Sequence, residues 1–115
     1  MRDDWERLRD IQDEIELIEK YAVRGQDAFY ADELIQTWMV KHLENIGEAC
    51  RAMSEDFRRN HPEIPWVDVI AQRTFLAHEY FAIDADEVWS TVETDIPVLR
   101  QQVKALLDRH DRSLN

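Results

Sequence analysis

Residues 3–22 read DDWERLRDIQDEIELIEKYA, and their pattern decides the fold class. Apolar side chains recur at Trp5, Leu8, Ile11, Ile15, Ile18 and Ala22. Steps of three and four keep one face of an α-helix apolar, whereas a half-buried strand alternates every second residue. Leu17 and Tyr21 widen the stripe. Asp3 or Asp4 can cap the start, because a short carboxylate accepts from the free N–H groups of a first helical turn. Gly25 fits the end.

The same pattern extends outward along the chain. A second helix is expected over 31–57, built on Ile35, Trp38, Met39, Leu43, Ile46, Cys50 and Met53. Gly47 falls inside it and is read as a point of close helix packing, not a hinge. Residues 58–65, RRNHPEIP, interrupt the run, since Pro62 and Pro65 both resist continuing it. Pro65 suits the start of a short third helix from Trp66 that ends within 78–81. A last helix should begin at 84–86, where acids suit the positive end of the helix dipole. It carries Val88, Trp89, Val92, Ile96, Leu99, Val103 and Leu106, with a kink at Pro97 and fraying from Asp108 onward. Only 2 Gly and 3 Pro punctuate the chain, which favours helices over loops. The expectation is an all-α protein, an antiparallel four- to five-helix bundle forming one domain over 1–115. Trp5, Trp38, Trp66 and Trp89 fall at core positions.

Composition narrows the function classes. Hydrophobic residues make up 44% of the chain, enough to fold rather than stay disordered. No stretch approaches the roughly 18 apolar residues of a membrane span. The acidic start, MRDDW, does not read as a signal peptide. The single cysteine, Cys50, forms no internal disulfide framework and sits on an apolar face. A cytoplasmic location is therefore expected. The net charge of −11 opposes nucleic-acid binding, but it is unevenly spread. Residues 61–99 carry most of the excess. Residues 41–60 balance, and residues 100–115 are net positive.

Most catalytic constellations are missing. Bundles often hold di-metal centres through Glu-x-x-His pairs. The residues three before His42, His61, His78 and His110 are Met39, Arg58, Phe75 and Leu107, none a carboxylate. His78-Glu79 begins like a zincin motif, but Ala82 stands where the second histidine belongs. No metal site and no cofactor are expected. What remains is Arg73-x4-His78-x-Tyr80. A guanidinium grips phosphate through paired hydrogen bonds and is always charged. An imidazole moves protons near neutral pH. Those two tools suffice to cut RNA without a metal. The spacing is awkward, because five helical residues turn about 140° beyond one full turn. Arginine's reach or an unwound helix end must bring the pair together. Each residue also has a plain structural alternative. His78 could be a hydrogen-bonded surface histidine, Tyr80 a packed ring, and Arg73 a salt-bridge partner of Glu79 or of another helix.

The context is more specific than that motif. LENIGEA at 43–49, HPEIPW at 61–66 and RTFLAHEYF at 73–81 are followed by Asp84, Val88-Trp89 and DIPVL at 95–99. In order and spacing, across nearly the whole chain, this resembles the HepT-type HEPN family. The resemblance implies a helical-bundle toxin of a prokaryotic type VII toxin–antitoxin pair, acting as a metal-independent endoribonuclease. It implies Arg73 and His78 as the catalytic pair, with Thr74 and Glu79 as supporting motif residues. It also implies a homodimer whose two copies meet in a composite cleft. The products would be a 2′,3′-cyclic phosphate and a 5′-hydroxyl, with transfer RNA a substrate of some members. The implied partner is an MNT-type, MntA-like nucleotidyltransferase antitoxin that attaches AMP to Tyr80 and silences the toxin. Thr74 departs from the family, where Asn or another strongly polar residue often follows the motif arginine. Two other readings stand beside this one. The bundle could be a non-catalytic scaffold and AMP acceptor of its partner, or a plain structural dimer.

Overall fold

A computed structural model describes residues 3–78 and 84–114, with the backbone alone for 73–78. Among the described residues seven α-helices and one π-helical turn follow in order: α1 (Asp4–Ala22), α2 (Gln26–Ala31), α3 (Glu33–Ala52), α4 (Glu55–Asn60), α5 (Trp66–His78), α6 (Ala85–Ser90), the π turn (Thr91–Asp95) and α7 (Ile96–Ser113). The protein is an all-α helical bundle. No strand occurs among the described residues, and none of the described helices is long and apolar enough to cross a membrane.

Helix α1 follows its sequence pattern closely. Leu8, Ile11, Ile15 and Ile18 are at most 1% exposed. Asp3 is the N-cap, its carboxylate accepting from the Glu6 N–H at 2.8 Å. Gly25 follows α1 with φ +89°, a region that glycine enters without the Cβ clash of other residues, and the chain there turns directly into α2. α1 packs on α3 and α7, and α3 packs in turn on α5. α1 and α3 run antiparallel, since Asp4 meets Ser54, Glu14 meets His42 and Asn45, and Leu17 meets Trp38. α1 and α7 also oppose, pairing Arg9 with Asp111 at 2.5 Å and Glu19 with Arg100 at 3.3 Å.

The expected helix over 31–57 is divided between α3 and α4, with Ala31 ending α2. Asp32 adopts an extended backbone and caps α3 by accepting from the Leu34 N–H at 2.9 Å. Met53 is extended as well, and Ser54 caps α4 by accepting from the Phe57 N–H at 3.1 Å. The Asp4 carboxylate takes both the Ser54 N–H (2.9 Å) and its hydroxyl (2.7 Å). Ser and Asp compete with the helix by bonding nearby backbone, so they serve better as caps than as interior residues. Gly47 is buried in α3, the helix sandwiched between α1 and α5.

The last expected helix is also interrupted, but upstream of Pro97. Asp84 caps α6, and the Ile96 N–H reaches back five residues to the Thr91 carbonyl. Pro97 has no N–H to give the Glu93 carbonyl, and the adjacent turn widens to π geometry. The tail does not fray from Asp108. α7 continues to Ser113, held by the Arg9–Asp111 pair and by the His110 ring stacked on Trp5 at 3.7 Å and 9°. Trp66 and Trp89 are buried, while Trp5 and Trp38 are partly buried against the core. Three of the four indoles donate, Trp38 to Leu17 O, Trp66 to His61 O and Trp89 to Glu93 Oε2.

Candidate functional site on helix α5

Helix α5 is where the motif falls. The loop before it closes on itself, the Trp66 N–H donating to Ile64 O at 2.9 Å and its indole to His61 O at 2.9 Å. Pro65 precedes the helix, and its carbonyl accepts from the Val69 N–H. The segment WVDVIAQRTFLAH has few polar residues, and one side of it packs on α3. Val67 on the other side is 76% exposed.

Arg73, Thr74 and His78 lie on this one helix, which runs unbroken to His78. Arg73 and His78 are thus about 7.5 Å apart along the axis and about 140° apart around it. No helix unwinding between them brings the pair together. Glu79 and Tyr80 lie outside the described residues.

The surroundings of α5 are described in more detail. A cleft of about 380 Å³ runs between α5, α3, the π turn and α7. Among the described residues its floor includes Leu43, Ile46 and Ile96, and Asp68, Glu87 and Asp95 line it. Across this cleft the Gln72 amide donates to the Thr91 hydroxyl at 2.5 Å, and that hydroxyl donates to Glu87 O at 3.0 Å. A second polar group sits between α1 and α3, where Glu14 receives His42 Nδ1 at 2.5 Å and Asn45 Nδ2 at 3.2 Å. Sequence reading missed both arrangements. Neither has a recognisable spacing, because each joins residues from different helices. Cys50 is fully buried and its thiol is pushed up to about 12 by desolvation, against the opposing pull of Arg58. A thiol held protonated is no nucleophile at neutral pH, as its apolar position suggested. Among the described residues no three His, Cys, Asp or Glu side chains are grouped to hold a metal ion.

Residues 11–106 match the family described as "Ribonuclease HepT-like". The chain belongs to this family. It is 41% identical over 101 residues to a protein of Thermococcus cleftensis named "Probable ribonuclease HepT", covering 86% of this chain and 91% of the relative. A candidate RNase of Caldanaerobacter subterraneus subsp. tengcongensis is 35% identical over 93 residues, 81% of this chain and 83% of that one. A Methanocaldococcus jannaschii protein, named as a gamma-glutamylcyclotransferase and candidate RNase, is 31% identical over 109 residues. That alignment takes in 94% of this chain but 49% of the relative, so the HepT-like unit is about half of the longer protein. No solved structure gives a significant match. The HepT-like match spans α5 entirely, including Arg73 and His78.

Proposed function

We propose that this HepT-like protein is a metal-independent endoribonuclease, the toxin of a toxin–antitoxin pair, with Arg73 and His78 as its chemical groups. The observation that carries the reading is their position on one continuous helix within the matched HepT-like region. The 2′-hydroxyl of a ribose attacks the adjacent phosphorus, and the 5′-oxygen of the next nucleotide leaves. The products are a 2′,3′-cyclic phosphate and a 5′-hydroxyl. His78 moves a proton on or off these oxygens, and Arg73 stabilises the charge on the phosphorane. With about 140° between the two residues on one helix, a composite site from two copies supplies what one copy lacks. Two histidines then divide the work, one taking the 2′ proton and the other giving one to the 5′-oxygen. Transfer RNA is the first substrate to try.

The off-switch in this reading is Tyr80. A nucleotidyltransferase antitoxin transfers AMP to its hydroxyl, adding bulk and negative phosphate beside the anion-binding arginine. The test compares RNA cleavage by wild type, Arg73→Ala and His78→Ala in the presence of a metal chelator. Loss of the general acid–base group is expected to lower the rate about 10²- to 10⁴-fold. Equal cleavage by all three proteins sinks the assignment. The net charge of −11 favours a second reading, a non-catalytic scaffold and AMP acceptor of that enzyme. Under it, co-expression with the nucleotidyltransferase adds AMP masses that vanish in Tyr80→Phe, while no variant or wild type cuts RNA.

A further inference from the structure

Among the described residues Thr91 is the polar side chain that is buried in the core, at 5% exposed. Threonine hydroxyls in helices often bond the carbonyl four residues back, and Thr91 does so to Glu87. The bond it accepts is less common. It comes from the Gln72 amide on another helix, one residue before Arg73. Thr91 also opens the π turn, and its carbonyl receives the five-residue bond that defines that turn. Single π turns inside helices recur at functional sites. α5 packs on α3, with Trp66 in the core and Val69 and Ile70 against it, and the hydrophobic part of such packing is not directional. A hydrogen bond is directional and does resist rotation.

We propose that Thr91 is a positioning residue for the α5 site, acting through Gln72 to fix the rotation of α5 about its axis. This rests on the ribonuclease reading above and adds to it the element that holds the site in register. A side chain tip lies about 5–6 Å from a helix axis, so a rotation of about 10° moves it by about 1 Å. A misplacement of that size can cost about 10²-fold in rate. The π turn makes the contact available by setting Thr91 against Gln72.

The experiment measures RNA cleavage at 25 °C by wild type, Thr91→Val, Thr91→Ser, Gln72→Met and the double variant Thr91→Val/Gln72→Met, each checked for fold by circular dichroism. Thr91→Val is expected to lower kcat at least tenfold with KM within twofold, and Thr91→Ser to restore it. Gln72→Met should match the loss, and the double variant should add nothing to it, as for two members of one interaction. A purely structural role moves the melting temperature and leaves kcat of the folded protein alone. Cleavage at the wild-type rate by folded Thr91→Val or by Gln72→Met overturns the proposal, as does failure of Thr91→Ser to restore kcat. Absence of cleavage by wild type overturns the ribonuclease reading and this proposal with it.

Discussion

Helices α1 and α5 are both packed on α3, yet they are held in different ways. α1 is gripped from two sides. Its apolar stripe is sealed, its first turn is capped by Asp3 and stacked through Trp5, and ion pairs tie it to α7. α5 has α3 on one side, an acid-lined cleft and an exposed Val67 on the other, and the Gln72–Thr91 bond across that cleft. The difference separates two jobs. Stability resides where faces close completely, while the motif rides on the helix with an open side. Elements that bind or react are generally drawn from the less enclosed part of a fold.

The comparison is broken most directly by truncating one side chain in each helix, buried Ile15 in α1 and exposed Val67 in α5. Ile15→Ala in α1 is expected to cost about 2–5 kcal/mol, because it removes transfer energy and leaves a cavity. Val67→Ala in α5 should change stability by less than about 0.5 kcal/mol, as surface substitutions do. Urea denaturation of both variants checks the contrast, and equal losses would erase it. Next in size is the Ser54 cap that joins the end of α3 to the start of α1. Ser54→Ala should cost about 1 kcal/mol, and more if the Asp4 carboxylate is left without a second partner. Asp4→Asn lets thermal melting tell the two contributions apart. The exposed Arg9–Asp111 pair is the smallest, with Arg9→Ala expected to cost under about 1 kcal/mol and to lose its effect in high salt.

Cys50 sharpens the same contrast through pH. Its folded pKa is raised to about 12, so the folded protein prefers the neutral thiol. Stability from this preference is fully present below the unfolded thiol's pKa of about 8.5 and declines as pH rises from there toward about 12. Cys50→Ala should flatten that decline in a series of melts between pH 8 and pH 10. In the native protein the thiol should resist alkylation at pH 8 and react promptly once urea unfolds α3.

Much of the bundle is legible in the sequence, and the misread parts share a cause. α1 is read almost to the residue because its stripe is regular and its cap is local. The breaks at Asp32 and Ser54 are hidden because apolar spacing continues across them, and capping residues do not disturb a count of threes and fours. Pro97 signals a distortion, but the backbone absorbs it upstream at Thr91–Asp95, where no proline or glycine stands. The tail beyond Asp108 looks too polar to be held. Its hold comes from Trp5 and Arg9, some hundred residues away in sequence. The candidate site divides similarly. Arg73 and His78 stand out through a familiar phrase of sequence, and both fall on one unbroken helix, with no unwound end to bring them together. Gln72 and Thr91 belong to no phrase, since a hydrogen bond between helices leaves no periodic trace.

The antiparallel docking of α1 against α7 also sets an order of events during synthesis. α1 emerges from the ribosome before α3 and α7, and α3 can shelter one flank soon afterwards. The other flank waits for residues 96–113, so α5 leaves the tunnel before α7 can close on α1. A nascent chain therefore carries the complete motif for several seconds, at about 5–20 residues per second, before it has a finished scaffold. α5 itself packs on α3, which precedes it in the chain, so the late-arriving contact is the one between α1 and α7.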